Sequence, residues 1–301
     1  MGLTSSNDDS GHSSACPEPQ GASVVIAAHD EETTIERCLR ALLDGADDDL
    51  EVVVACNGCT DATAAVVAAV GPPVVLVELT EASKIAALNA GDAMVAGFPR
   101  LYVDADVELA PESRDALIAA LRAGALFATP PAHLVTEHSD RWVRAYYRAW
   151  ATRPSVVAGQ VGVGVYAMSA AGRARFGQFP EVIADDRYVH DRFTPAERVR
   201  VDGPPTMVRV PATIAALVDR RARVLLGNDQ LHARGDARTD GGGAGTTWLA
   251  TVARSPRRWP DVAVFAAVTL AARRRAARQR RSGTAEWGRD ATSRAQEVPG
   301  S

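Results

Sequence analysis

Val24-Val25-Ile26-Ala27-Ala28 is an apolar run, entered from Ser23 and followed at once by the polar stretch His29-Asp30-Glu31-Glu32. Five apolar residues without alternation read as a parallel strand buried on both faces. Beyond the polar stretch, Ile35, Cys38, Leu39 and Leu42 recur at helical spacing. Glu36 and Arg40 stand four apart on the opposite side, where they can pair in solvent. The unit then repeats. Strands are expected at 51–55, 73–78 and 101–103, and helices at 60–70, 83–95 and from Pro111 to about Leu121. Strand and helix in alternation, joined by short connections, predict an α/β fold: a mainly parallel sheet flanked by helices. Sites in such sheets lie at the carboxyl ends of the strands. His29 to Glu31, Cys56-Asn57 and Asp104 to Asp106 all fall at such ends and would converge on one crevice.

The stretch Leu101-Tyr102-Val103-Asp104-Ala105-Asp106-Val107-Glu108 ends an apolar run in two carboxylates one residue apart. If strand geometry persists to Asp106, the two share a face. Such a pair either faces water or holds a hard divalent cation, with a diphosphate on the far side of the ion. The stretch alone leaves both readings open.

Composition bounds the rest. The 301 residues allow one large domain with appendages or two small domains, and 47% hydrophobic with 23% charged residues is ordinary for a globular protein. A net charge of −4 gives no general case for binding nucleic acid. Lys84 is the only lysine, so its setting needs a reason. Cys56-Asn57-Gly58-Cys59 has CxxC spacing, but no second CxxC or nearby His/Cys cluster completes a zinc site, and reduced thiols are expected. The polar N-terminus lacks the apolar core of a secretion signal, and the expected location is the cytoplasm.

Residues 1–21 read as a disordered tail, 22–232 as the folded domain, 233–246 as a glycine-rich linker, 247–281 as an amphipathic helical segment and 282–301 as a second tail. Within the domain, 140–152 reads as an aromatic-rich helix, 198–209 as including a strand and 211–217 as a helix. The apolar run 262–272 is too short to cross a bilayer. Six arginines follow it within 273–281. That order suits peripheral contact with an anionic membrane, at its inner face, and it equally suits a helix docked on the domain with a solvated basic end.

The order of these motifs resembles the family 2 glycosyltransferases of the GT-A fold, over about residues 22–230. Val24 to Glu32 resembles the family's strand and Asn-Glu-Glu loop, with Asp30 where Asn is usual. The resemblance implies that Ala28, His29 and Glu31 border the nucleoside. Cys56 to Thr63 resembles the family's Asp-Asp-Gly-Ser-Thr-Asp-Gly-Thr, with Cys56-Asn57 replacing the acidic pair. Asn57 could still read a base edge, through its carbonyl or its amide. Ser83 to Gly91 is similar to Gly-Lys-x-x-Ala-Leu-Asn-x-Gly and puts Lys84 near the donor diphosphate. Asp104-Ala105-Asp106 matches the DxD motif. By that match Asp106 is the more direct ligand of a Mg²⁺ or Mn²⁺ ion, and Asp104 lies nearer the ribose or the ion's water shell.

Gly162-Val163-Gly164 resembles the loop before the acceptor. Asp185-Asp186 resembles the Glu-Asp pair whose second member is the general base; the sequence leaves open which of the two acts. Arg220 to Gly227 is reminiscent of the QxxRW motif, with Arg220 for Gln and Val224 for Trp. Arg223 and Arg220 are then phosphate-binding candidates, and His232 a candidate third metal ligand. The missing Trp, and the missing membrane spans of the polymerising members, imply transfer of a single hexose-type sugar. The implied reaction is inverting and metal-assisted, from a nucleotide-sugar donor to a hydroxyl on a small or lipid-linked acceptor. The alternative is a relative that binds nucleotide sugars, or acts as a scaffold, without catalysis. A sugar-phosphate nucleotidylyltransferase would need a Gly- and Arg-containing loop after the first strand, and a nicotinamide-binding domain would need GxGxxG there. Neither follows Ile26.

Overall fold

The computed structural model describes residues 21–153, 164–237 and 255–282. The expected tails at 1–20 and 283–301, linker residues 238–246, the helix expected near 247–253 and Gly162-Val163 lie outside the described residues.

The expected alternation is present. It runs β1 (Ser23–Ala28), α1 (Ile35–Leu43), β2 (Glu51–Asn57), α2 (Thr63–Val70), β3 (Val74–Leu79), α3 (Lys84–Met94), β4 (Arg100–Asp104) and α4 (Pro111–Arg122). Next come β5 (Phe127–Thr129), β6 (Ala132–Val135), α5 (Arg141–Trp150), β7 (Val165–Met168), a short α6 (Ala170–Arg173) and α7 (Asp185–His190). The chain closes with β8 (Arg198–Arg200), β9 (Thr206–Arg209), α8 (Ile214–Ala233) and α9 (Trp259–Ser282). The main sheet has the order β3-β2-β1-β4-β7-β5-β8, and β6 and β9 form a separate pair. β1 to β4 are parallel, while β7 runs antiparallel to both β4 and β5.

Alternate residues of the central strands feed two cores. Val24, Ile26, Val52, Val54, Leu101 and Val103 pack on one face with Leu39 and Leu42 of α1 and Leu117 of α4. Val25, Val53 and Tyr102 pack on the other with Ile85 and Leu88 of α3, Tyr188 and Val189 of α7 and Leu231 of α8. Gly91 lets α3 lie close on the sheet, since a Cβ there would come within 2.6 Å of Val25 Cγ1. Arg114 of α4 is buried and donates to the carbonyls of Leu42, Asp44 and Gly45, so a side chain from another element closes the end of α1.

Several expectations need correction. β4 ends at Asp104, and the chain turns there with Val107 N donating to Asp104 O at 3.0 Å, so strand alternation does not carry Asp106 onto Asp104's face. The strand expected within 198–209 is two strands in two different sheets, parted by Gly203-Pro204-Pro205. The helix expected over 211–217 starts at Ile214 and runs to Ala233, taking in the whole Arg220 to Gly227 motif and His232. From Trp259 to Ser282 the C-terminal segment is one 24-residue helix carrying Pro260 in its first turn, where the missing N–H costs nothing.

That last helix docks. Tyr146 stacks on Phe265 at 5.1 Å, Arg148 donates to both carboxylate oxygens of Asp261 at 2.9 and 2.6 Å, and Val268, Ala272 and Ala276 are buried. Arg275 pairs with Asp219 and Arg280 with Asp229 of α8. Among the described residues, no helix is long and apolar enough to cross a membrane.

Candidate active site

The parallel register sets Ala28 beside Cys56 and Ala27 beside Asp104, so the three polar clusters do share one edge of the sheet. The loops after β1 and β2 are fastened to each other. Asp30 accepts from Thr60 N at 2.6 Å, Glu31 N donates to Thr63 Oγ1 at 2.7 Å, and Glu32 accepts from Ala62 N at 2.9 Å. Asp30 has φ 48°, a left-handed conformation that Asn and Asp tolerate best among side-chain-bearing residues. That requirement explains how Asp can stand where Asn is usual.

Asn57 is fully buried. Its amide donates to Ala28 O at 2.7 Å, which fixes its orientation, since the flipped amide would set two oxygens against each other. Asn57 Oδ1 is buried with no partner among the described residues. The side chain thus locks β2 to the end of β1 and is not presented at the surface. His29 is nearly buried beside it, and Glu31 turns its carboxylate onto Thr34 Oγ1 at 2.7 Å.

The centre of the site is Lys84. Alternation along β4 sends Tyr102 toward α3, and Asp104 two residues on follows it. Ser83 caps α3 by accepting from Ala86 N at 3.1 Å, which places Lys84 in the first turn at that edge. Lys84 Nζ lies 2.9 Å from Asp104 Oδ1 and 3.2 Å from Asp185 Oδ2. Burial disfavours the ammonium, but Asp104 and Asp185 outweigh that and push its pKa upward. Burial lifts the Asp185 carboxyl from 3.8 to about 6, with Asp186 and Asp104 adding to the rise and Lys84 opposing it. The 3.2 Å approach is an ion pair without good hydrogen-bond alignment, which is consistent with a carboxylate still costly to charge.

Asp186, the next residue, is exposed in the first turn of α7 and accepts from Arg187 N at 2.7 Å. Gly164 sits at φ 71°, with its carbonyl accepting from Asp104 N at 2.7 Å. A Cβ there would press on Val107 at 2.6 Å and on Asp104 Oδ2 at 3.1 Å. Asp106 is exposed in the turn after β4.

The α8 residues divide. Gly227 permits contact with the segment entering α7, since a Cβ would lie 2.9 Å from Ala184 Cβ, and Gln230 accepts from Ile183 N at 3.0 Å. α8 thereby holds the approach to Asp185. Arg220 donates to Arg209 O at 3.3 Å, on the strand before α8, and Arg223 lies half-buried one turn further along. His232 is exposed in the last turn, and Asp104, Asp106 and His232 are not gathered into a three-donor cluster. Among the described residues the one group of three such donors is His29, Asp30 and Cys59, whose ligand atoms lie within 4.8 Å of one another.

Two supporting residues escape sequence reasoning. Asn89 bonds both backbone groups of Phe179, receiving from its N–H at 2.8 Å and donating to its carbonyl at 3.0 Å. Asp92 accepts from Arg100 at 2.7 Å, from Arg173 at 2.7 Å and from Tyr102. Asn89 lies in a quoted motif, but its partner is 90 positions away and no local pattern names it.

A parallel sheet with an antiparallel seventh strand, and a lysine and carboxylates at its carboxyl edge, defines the GT-A class of glycosyltransferase fold. Consistent with this, residues 23–176 match the Glycosyl transferase family 2 profile, and the chain belongs to that family of enzymes. No curated protein matches the chain. Similar solved structures include the Pyrobaculum calidifontis mannosyltransferase PcManGT with GDP-Man and Mn²⁺, at 23% identity and TM-score 0.54, covering 88% of this chain and 79% of that one. Mycobacterium tuberculosis glucosyl-3-phosphoglycerate synthase with Mn²⁺, UDP-Glc and phosphoglyceric acid is 21% identical, with TM-score 0.54, covering 73% and 81%. S. aureus TarS residues 1–349 with UDP is 17% identical, with TM-score 0.51, covering 70% of this chain and 65%, just under two thirds, of that one.

Proposed function

We propose that the protein moves one hexose-type sugar from a nucleotide-diphosphate sugar to an acceptor hydroxyl, with inversion, assisted by Mg²⁺ or Mn²⁺. The observation that carries this is the Lys84 bridge, which joins the donor carboxylate Asp104 to the acceptor-side carboxylate Asp185. One cation reaches both halves of a displacement, the departing diphosphate and the incoming oxygen.

Asp104, 42% exposed, and the exposed Asp106 offer only hard oxygen donors at a solvent-facing strand end, which suits Mg²⁺ or Mn²⁺. Bound there, the ion would neutralise charge on the leaving diphosphate. The complexes of PcManGT with GDP-Man and Mn²⁺, and of the synthase with Mn²⁺ and UDP-Glc, support that assignment. Lys84 adds a fixed cation on the diphosphate side, and Arg220 and Arg223 are planar donors for phosphate oxygens. Ala28, His29 and Glu31 border the nucleoside, while Asn57 keeps the floor of that pocket rigid from beneath. Asp186 takes the proton of the acceptor hydroxyl as its oxygen attacks the anomeric carbon. Asp185 is held by Lys84 and orients the first turn that presents Asp186. Small or lipid-linked hydroxyl acceptors fit the open side of α7. His232, exposed in the last turn of α8, stays a candidate ligand.

The catalytic unit extends over 22–232 with α9 docked on it. Trp259 and Leu270, 56% and 49% exposed, together with Arg273, Arg274, Arg278 and Arg281, form the face for peripheral contact with an anionic membrane from the cytoplasmic side.

Nucleotide-sugar turnover with Mn²⁺ tests the reading. Asp106→Ala should lower turnover about 100-fold, the scale on which metal-charge stabilisation operates. Asp186→Asn should abolish transfer while donor binding persists. If no nucleotide sugar binds in the presence of either metal, or if Asp186→Asn transfers normally, the reading fails.

A further inference from the structure

The His29, Asp30 and Cys59 group stands apart from the carboxylates of the proposed transfer. Sequence spacing argues against zinc because nothing adjacent in sequence to Cys56-Asn57-Gly58-Cys59 completes a ligand set. The fold supplies what spacing lacks. The loop after β1 lies against the loop after β2 and sets His29 and Asp30 across from Cys59. We propose that these three side chains form a second metal site that takes a thiophilic divalent cation, Zn²⁺ above all.

The donor chemistry is one imidazole, one carboxylate and one thiolate. That set selects zinc-type ions over Mg²⁺, which prefers oxygen ligands alone. Ligand atoms of a tetrahedral zinc site lie about 3.5 Å apart, for bonds of about 2.0 to 2.3 Å. The observed separations, all within 4.8 Å, need a closure of about 1 Å, within the reach of side-chain torsions.

The surroundings also suit an ion. Asp30 is steadied by the Thr60 N–H at 2.6 Å and the Thr60 hydroxyl at 3.2 Å, as ligating carboxylates usually are. Cys59 lies half-buried, and its thiol makes a long contact to Ala28 O at 3.7 Å and a hydrogen bond with the neighbouring Cys56 thiol. Cys59, and not Cys56, is the thiol grouped with His29 and Asp30, and water would complete the shell.

Occupancy would clamp the two loops together at the nucleoside side of the site. If the proposed nucleoside pocket is right, such an ion competes with the donor; the binding measurement stands without that reading. Full-length protein is titrated with Co²⁺, which reports thiolate ligation by a charge-transfer band, and Zn²⁺ affinity is measured by displacing the Co²⁺. One Co²⁺ per chain with a thiolate band is expected, displaced by Zn²⁺ and untouched by excess Mg²⁺. Cys59→Ser should abolish the band. Asp30→Asn, which keeps the left-handed backbone and an acceptor for Thr60, should weaken Zn²⁺ at least tenfold with the fold intact by circular dichroism. Absence of a thiolate band, its survival in Cys59→Ser, or unchanged Zn²⁺ affinity in Asp30→Asn overturns the proposal.

Discussion

Replacing Lys84 by methionine removes the bridging charge and keeps most of the apolar stem. In the native protein burial holds the Asp185 carboxyl at about 6 against 3.8 unfolded. A group with a raised folded pKa favours folding fully below its unfolded pKa and loses that contribution as the pH climbs through the folded value. Without Lys84 the Asp185 pKa rises further, and the loss continues to higher pH. Protonation sets the ceiling, because Asp185 takes a proton before it bears an unlimited charging cost. At about 1.4 kcal/mol per unit, the added cost is near zero at pH 5, at most about 1.4 kcal/mol at pH 7 and at most about 2.7 kcal/mol at pH 8.

Lys84's own pKa is pushed upward from 10.5, so its direct contribution is constant across that window. The Asp104 arm of the bridge ends on a carboxylate that is 42% exposed and screened by water, and it adds little. Urea unfolding of both proteins at the three pH values reads the gap directly. It should widen steadily with pH. A gap that is constant, or wider at pH 5, would refute this account of Asp185.

Two further predictions concern buried side chains. Asn57→Asp restores the carboxylate usual in the family, but that carboxylate cannot donate to Ala28 O and faces it instead. We expect a loss of about 3 kcal/mol at pH 7 that shrinks as pH falls and the buried acid takes a proton; equal losses at pH 4 and pH 7 in urea melts would sink the argument. Asp92→Asn leaves Arg100 and Arg173 without their counter-charge and should cost about 3 to 5 kcal/mol. Burial disfavours the Asp92 carboxylate, but hydrogen bonds from Arg173, Tyr102 and Arg100 outweigh that and hold its pKa low. Its stabilisation is present above 3.8 and lost only as pH falls through the lower folded value, so the deficit in thermal melts should persist to about pH 4.

The sheet was legible because strands buried on both faces cannot carry alternating polar residues, and Val24 to Ala28 carries none. Helix α8 was not, because its run from Asp219 through Arg223 to His232 is rich in charge, and only its packing on Ile183, Ala184 and α9 makes it one element. The site was legible as a set of residue types and illegible as a set of partners. Lys84, Asp104 and Asp185 stand out singly, yet their bridge spans a hundred positions of chain. For Asn57 the residue type suggested a reader of bases, and the geometry gives a brace. The cysteine spacing gave no complete ligand set, and the grouping of His29 and Asp30 with Cys59 is illegible along the chain because it arises where the loop after β1 meets the loop after β2.

Helix α3 holds three regions at once. Lys84 grips Asp104 and Asp185, Asn89 grips Phe179 on the path to Asp185, and Asp92 grips the strand that delivers Asp104. At about 1.5 Å per residue these attachments lie within one rod about 16 Å long. When that rod shifts, Asp104 and Asp185 shift together. A displacement shared by both ends of a measurement cancels in their difference. In the proposed transfer the gap between these two carboxylates is therefore insulated from motions of the scaffold, and the loops around it are left free to vary.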